Sequence, residues 1–331
     1  MSNQSTILGQ QELPTKESIP TSFKVKPIFR NKPKDEKLKK HIYKRYFIFF
    51  DIPSLFFENG VFNYSIRQSG LMPTKILKGP YYFNSRIKQF DAKKDLFTLK
   101  DSDELTVVTF GDHDKNGEDV HAKLSSSYYD LLILLGDYSY DVYEDFGVRG
   151  DDYFEWMEPL MTRAPIILTP GNHENFQKTN FFNQRFMMPG TRQPEDNNLF
   201  ACETKRLQIM GLNLDYLLAR PELSQNYQTQ IDTVLKDFDE RKNNRFSFYI
   251  SHRPFHCKGN YDECNQLAST FPEIEKSLIS SEINVNLWGH VHHYERLDAI
   301  YNHQKLPKKN LMSLIVGTGG NKEGITLKGW K

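Results

Sequence analysis

Tyr129-Asp130-Leu131-Leu132-Ile133-Leu134-Leu135-Gly136-Asp137-Tyr138-Ser139-Tyr140 is the stretch on which the fold turns. An apolar run of strand length stops abruptly at Gly136-Asp137, and polar and aromatic residues follow. Four other runs end the same way. The run at 105–110 leads into Gly111-Asp112, and that at 165–169 into Pro170-Gly171-Asn172-His173. The run at 246–250 leads into Ser251-His252, and that at 283–288 into Gly289-His290-Val291-His292. Near-continuous apolar runs suit strands covered on both faces. Their alternation with longer amphipathic or loop segments predicts an α/β fold. In open α/β sheets the ligand crevice lies beyond the carboxyl ends of the strands. All five polar clusters are therefore expected on one rim.

The side chains in those clusters share a chemistry. Asp112 and Asp137 bring anionic oxygen, Asn172 neutral oxygen, His252, His290 and His292 imidazole nitrogen, and Tyr140 a phenolate. Seven such groups exceed what one tetrahedral zinc needs. They fit two metal ions sharing a bridging carboxylate, a clamp suited to phosphoryl displacement. The oxygen and imidazole mixture admits iron, manganese or zinc, and a phenolate favours ferric iron. Singly, each residue has a plainer use: Asp after a strand is a common helix N-cap, and Tyr is more often packed. The set of five clusters is what points to metal.

Composition bounds the rest. The 331 residues carry a net charge of +1, with 38% hydrophobic, 26% charged and 13% aromatic residues. That excludes a charge-driven disordered chain and gives no bulk electrostatic case for a nucleic-acid partner. No apolar run approaches the roughly 18 residues of a membrane span. The first residues show no signal peptide. Three cysteines are too few for a disulfide scaffold, although Cys257 and Cys264 are close enough to pair.

Charge is uneven along the chain: residues 1–45 hold eleven Lys/Arg and four Asp/Glu. Residues 1–40, polar and punctuated by four prolines, read as a mobile basic arm. Residues 41–100 read as β-rich, with strands at 46–52 and 61–67 and a short aromatic run at 81–83. Asn63-Tyr64-Ser65 is a glycosylation sequon.

At these motifs the sequence resembles the purple acid phosphatases, within the calcineurin-like metallophosphoesterase superfamily. The blocks stand in order as Gly111-Asp112, Gly136-Asp137-Tyr138-Ser139-Tyr140, Gly171-Asn172-His173-Glu174, His252-Arg253-Pro254 and Gly289-His290-Val291-His292-His293-Tyr294-Glu295-Arg296. The segment 175–189, with Asn183-Gln184-Arg185-Phe186, is similar to the family's as well. The resemblance covers roughly 105–320. It implies an α/β (α+β) two-sheet metallophosphoesterase sandwich flanked by helices, over 101–331. It also implies a shortened, fibronectin-III-like β-sandwich remnant at 41–100.

The resemblance further implies the roles. Asp112, Tyr140 and His292 would hold ferric iron. Asn172, His252 and His290 would hold a divalent zinc, manganese or iron, with Asp137 bridging. A metal-bound hydroxide would then attack phosphorus in line. His173 would bind phosphate or assist the leaving group, and Asn172 and His256 would face the substrate. Phosphate monoester hydrolysis at acidic pH is the implied activity. Phosphodiester or pyrophosphate hydrolysis and a non-catalytic remnant are the alternatives. The Cys257/Cys264 spacing matches a disulfide pair in animal-type members, and the family implies a secreted or lysosome- or vacuole-like location. Nothing in the sequence fixes the oligomeric state. Two departures stand out. The family's Asp-x-Gly reads Asp112-His113-Asp114, the extra carboxylate perturbing the metal site or pointing to solvent. The chain also stops soon after Gly317-Thr318-Gly319-Gly320, where relatives usually continue.

Overall fold

The computed structural model describes residues 104–324 apart from 162, 176–179, 184, 187, 194–195, 204–205, 242–244, 259–264 and 307–309, together with five strands nearer the N-terminus. The chain divides into two compact units, Met1–Phe97 and Thr98–Lys331.

The first unit contains β1 (Ser5–Leu8), β2 (Phe23–Ile28), β3 (Arg45–Phe50), β4 (Val61–Gln68) and β5 (Lys88–Asp91). β4 lies between β1 and β5, and β2 pairs with β3, all antiparallel. β1 and β2 fall within residues 1–40, the stretch read from sequence as a basic arm. Phe23 and Val25 alternate with Lys24 and Lys26, and pair with Phe50 and Ile48. That is a strand period hidden under a high charge. The aromatic run at 81–83 lies outside the described residues.

The second unit is a mixed α/β sandwich of two main sheets. β6 (Val107–Phe110), β7 (Leu131–Leu134) and β8 (Ile166–Leu168) form a parallel sheet in that order. β9 (Thr191–Gln193), β10 (Asp196–Glu203), β11 (Leu207–Leu212), β12 (Phe246–Ser251), β13 (Val285–Trp288), β14 (Tyr294–Asp298) and a last strand, Met312–Val316, form the other. With the hairpin β15 (Ile300–Tyr301) and β16 (Gln304–Lys305) intervening, that last strand is β17. Its sheet runs β14-β17-β13-β12-β11-β10-β9, with β11, β12, β13 and β17 parallel. The five runs read from the sequence are β6, β7, β8, β12 and β13.

Helices α1 (Glu118–Ser125), α2 (Val148–Met161), α3 (Asn180–Asn183), α4 (Leu214–Leu218), α5 (Ser224–Glu240), α6 (Gln266–Thr270) and α7 (Pro272–Ser280) complete the unit. The large sheet is apolar on both faces because both are covered. Ile209, Ile250, Leu287 and Val316 share a core with β7 and with Tyr153, Met157 and Leu160 of α2. Their neighbours Met210, Tyr249, Trp288 and Ile315 share the other core with Ile231, Val234 and Phe238 of α5 and Ile274 and Leu278 of α7. The period-2 split of each strand between two cores fixes the register, since a one-residue slip exchanges the faces. All four residues of β7 are buried. Its loop is thereby anchored at the centre of the rim.

Backbone bonds tie the rims together, one between the two sheets and others within each. Gly111 N donates to Val316 O at 3.0 Å, and Asp112 N to Gly136 O at 3.0 Å. Gly289 N donates to His252 O at 2.8 Å. The loops after β6, β7, β12, β13 and β17 thus form one continuous floor.

Candidate metal centre

The rim backbone is strained where the candidate ligands sit. Asp112, Asp137, Tyr140 and His290 all have positive φ, at 60°, 56°, 36° and 68°. Such a conformation costs a non-glycine residue of order 1–3 kcal/mol, and clusters of it mark functional loops. Glycines open space beside the carboxylates. A Cβ on Gly171 would stand 2.2 Å from Asp137 Oδ1, and one on Gly289 or Gly317 2.8 Å from Asp112 Oδ2.

Two groups of donor atoms result. In the first, Tyr140 Oη lies 3.0 Å from His292 Nε2 and 3.4 Å from Asp112 Oδ1, and His292 Nε2 lies 3.3 Å from Asp112 Oδ1. In the second, His252 Nε2 lies 3.1 Å from Asp137 Oδ2, 3.0 Å from Asn172 Oδ1 and 3.2 Å from His290 Nδ1. Asp137, His252 and His290 offer ligand atoms that all lie within 4.8 Å of one another. The groups meet at His290, whose N–H donates to Asp112 Oδ2 at 2.7 Å. The seven residues named from sequence are thus brought together; His256 is not.

Proton positions suit metal binding. His252 Nδ1 is 2.7 Å from Leu135 O, and His292 Nδ1 is 3.1 Å from Gly324 O. A carbonyl only accepts, so each Nδ1 carries a proton and each Nε2 is left facing the cluster. His290 differs: Arg253 Nη1 donates to its Nε2 at 2.9 Å. A cation on His290 Nδ1 would leave a proton on Nε2, and the guanidinium would then turn away.

The electrostatics call for cations. Tyr140 is fully buried, and burial, then the Asp112 and Asp137 carboxylates, push its phenol far above the usual range. Burial would raise the Asp137 carboxyl too, but the charge and hydrogen bond of His252, with His173 and His290, outweigh it and hold it well below. A bound cation reverses the penalty on Tyr140 and replaces the proton that Asp137 and His252 share. The donor set fits two metal ions.

The sequence profile described as calcineurin-like phosphoesterase matches residues 111–294, more than half of the chain and all seven residues above. The chain belongs to the calcineurin-like phosphoesterase family. Among curated proteins it is similar to acid phosphatase type 7 of Homo sapiens, 24% identical over 60% of this chain and 50% of that protein. Purple acid phosphatase 22 of Arabidopsis thaliana is 29% identical over 62% of this chain and 47% of that one. The chain spans about half the length of these relatives. A purple acid phosphatase isolated from yellow lupin (Lupinus luteus) seeds shares the fold, with a TM-score of 0.63 over 91% of this chain and 57% of that chain, at 15% identity.

Other residues of this phosphoesterase-family site had weaker sequence signals. His173, on the turn after β8, packs its ring 4.5 Å from that of Tyr140 and holds Nε2 3.9 Å from Asp137 Oδ2. Its Nδ1 is bound by the Asp141 carboxylate. Asp141 follows Tyr140 directly, and only that adjacency could have flagged it. Buried Glu174 accepts from Asp137 N, Tyr138 N and Gly171 N at 2.8, 2.9 and 2.9 Å, clamping the β7 and β8 loops together.

The fold places two more residues named from the sequence. His256, expected at the substrate, is buried with its ring nitrogens bound to Asn265 Oδ1 and to Glu275 of α7. Asp114 does not point to solvent. It is 6% exposed and accepts from Asn116 N and Lys322 N at 2.7 and 2.9 Å. Of the expected disulfide, Cys264 lies outside the described residues, and Cys202 is a free thiol.

Proposed function

We propose that the chain hydrolyses phosphate monoesters at a dinuclear Fe(III)–M(II) centre. Asp112, Tyr140 and His292 would hold the ferric ion and Asn172, His252 and His290 the divalent ion, with Asp137 a ligand available to both. The observation that carries the reading is the buried Tyr140 hydroxyl, packed against Asp112 and His292, its phenol pushed far above the usual range by burial and the neighbouring carboxylates. When bound, the two metals supply Lewis acidity toward water and phosphoryl oxygen.

The chain's own groups do the remainder. Glu174 and the strained loops fix the ligand positions before substrate arrives, which limits reorganisation during reaction. His173 keeps Nε2 toward the site because the Asp141 carboxylate accepts from its Nδ1–H, and Nε2–H donates to the phosphate or to the leaving oxygen. The same reading places the protein in an oxidising secretory or vacuolar compartment, with Cys257 bridged to Cys264 and Asn63 glycosylated. A non-reducing mass spectrum of the native protein checks that placement.

The test is the visible spectrum of the iron-loaded chain beside Tyr140→Phe, with turnover of mono- and diesters. Tyrosinate on ferric iron gives a violet band that Tyr140→Phe abolishes. A colourless, folded, iron-loaded wild type overturns the assignment. Faster diester than monoester turnover overturns the substrate class.

A further inference from the structure

One short segment touches every member of the tyrosine-bearing group. After β17 the chain turns back across the loop that follows β6. Gly319 N donates to Gly111 O at 3.0 Å, and Asn321 Nδ2 to Asp112 O at 3.2 Å. Lys322 Nζ donates to Tyr140 O at 2.9 Å, and Gly324 O accepts from His292 Nδ1 at 3.1 Å. The segment lies backbone against backbone. A Cβ on Gly319 would stand 2.5 Å from Gly111 O, and one on Gly117 2.3 Å from Gly319 O.

Asp114 ties this segment down. Its Oδ2 accepts from Lys322 N at 2.9 Å, its Oδ1 from Asn116 N at 2.7 Å, and its own N–H reaches Gly320 O at 3.4 Å. Asn321, itself buried, closes the turn by accepting from Glu323 N and Gly324 N at 2.8 and 3.1 Å. Among the described residues, these contacts to the candidate ligands go to Asp112, Tyr140 and His292 and to none of the divalent set.

We propose that residues 319–324 form a strap that positions Asp112, Tyr140 and His292, and that Asp114 is its anchor and a positioning residue for iron alone. The proposal rests on the ferric reading above. Outer-sphere partners of metal ligands typically govern affinity 10- to 100-fold. Loosening the strap frees the Nδ1–H of His292 and the carbonyls of Asp112 and Tyr140 together, so the iron site relaxes while Asn172 and His252 keep their own supports.

The experiment compares wild type, Asp114→Gly, Asp114→Asn and Asn321→Ala after loading with iron and zinc. It measures metal content, the tyrosinate band, the rate of iron removal by a chelator and the melting temperature. Asp114→Gly is expected to lose iron about 10- to 100-fold faster, with a shifted or weakened band and zinc retained. Asp114→Asn keeps one acceptor and falls between. Asn321→Ala approaches from the strap side and gives the same selective loss should Asp114→Gly misfold. Equal loss of both metals in step with a lower melting temperature overturns the proposal, as does a violet wild type with an unchanged Asp114→Gly band and rate. A colourless, iron-loaded wild type overturns the ferric reading first and the proposal with it.

Discussion

At the scale of single residues the site is a set of proton positions fixed by one-way partners. Carbonyls that only accept fix His252 and His292, and a carboxylate fixes His173. The last is the most open to experiment. In Asp141→Asn the acceptor becomes a neutral amide, so His173 loses its orienting charge. General acid help is worth about 100- to 10,000-fold, and loss of orientation forfeits a part of that, about 10- to 100-fold in kcat. The loss is expected with alkyl phosphates, whose leaving oxygen needs a proton, and is small with nitrophenyl phosphate. Steady-state kinetics on the two substrates checks it. An equal fall on both places His173 on the phosphate rather than on the leaving group.

At the scale of elements, legibility followed chemistry that is local in sequence. β6, β7, β8, β12 and β13 announced themselves because each apolar run ends at a glycine or polar ligand. β11 did not, because Gln208 and Gly211 interrupt it. Gln208 is buried on Phe238 O and Ser247, and Gly211 is needed where the Phe200 ring lies 2.1 Å from a would-be Cβ. The strap at 319–324 is held mainly through main-chain atoms, which leave no trace in composition. His256 looked like a substrate ligand because its partner on α7 is remote in sequence.

The loop after β6 adds a pH-dependent element. His113 packs between Phe110, Tyr153 and Trp156, with Nδ1 2.8 Å from Tyr153 Oη. Burial, opposed in part by the hydrogen bond with Gly117 and helped a little by the charge of His121, lowers it from 6.5 to about 4. A base depressed in the folded state stabilises above its unfolded value and loses that contribution as pH falls. The window is pH 6.5 down to 4, and the loss is about 3 kcal/mol at most. Urea unfolding in chelator is expected to show a shallower acid slope for His113→Phe than for wild type. Parallel slopes would mean that His113 is protonated in the folded chain.

At the scale of the whole molecule the chain divides into Met1–Phe97 and Thr98–Lys331, and the candidate ligands all belong to the second unit. Each candidate ligand, the Glu174 clamp, the Asp141 partner and the strap lie after residue 98. Among the described residues, both cores of the sandwich draw on residues after 104. A unit with its own core is expected to fold alone. The fragment 98–331 is therefore expected to unfold in one cooperative transition, to bind two metals per chain and to keep the kcat of the full chain. Metal analysis and kinetics on the purified fragment check this. Should the fragment fold but bind one metal, the N-terminal unit contributes to the centre. Should it keep both metals with a raised KM and an unchanged kcat, the N-terminal unit acts on substrate access, and its excess of basic charge over residues 1–45 becomes the first feature to vary with ionic strength.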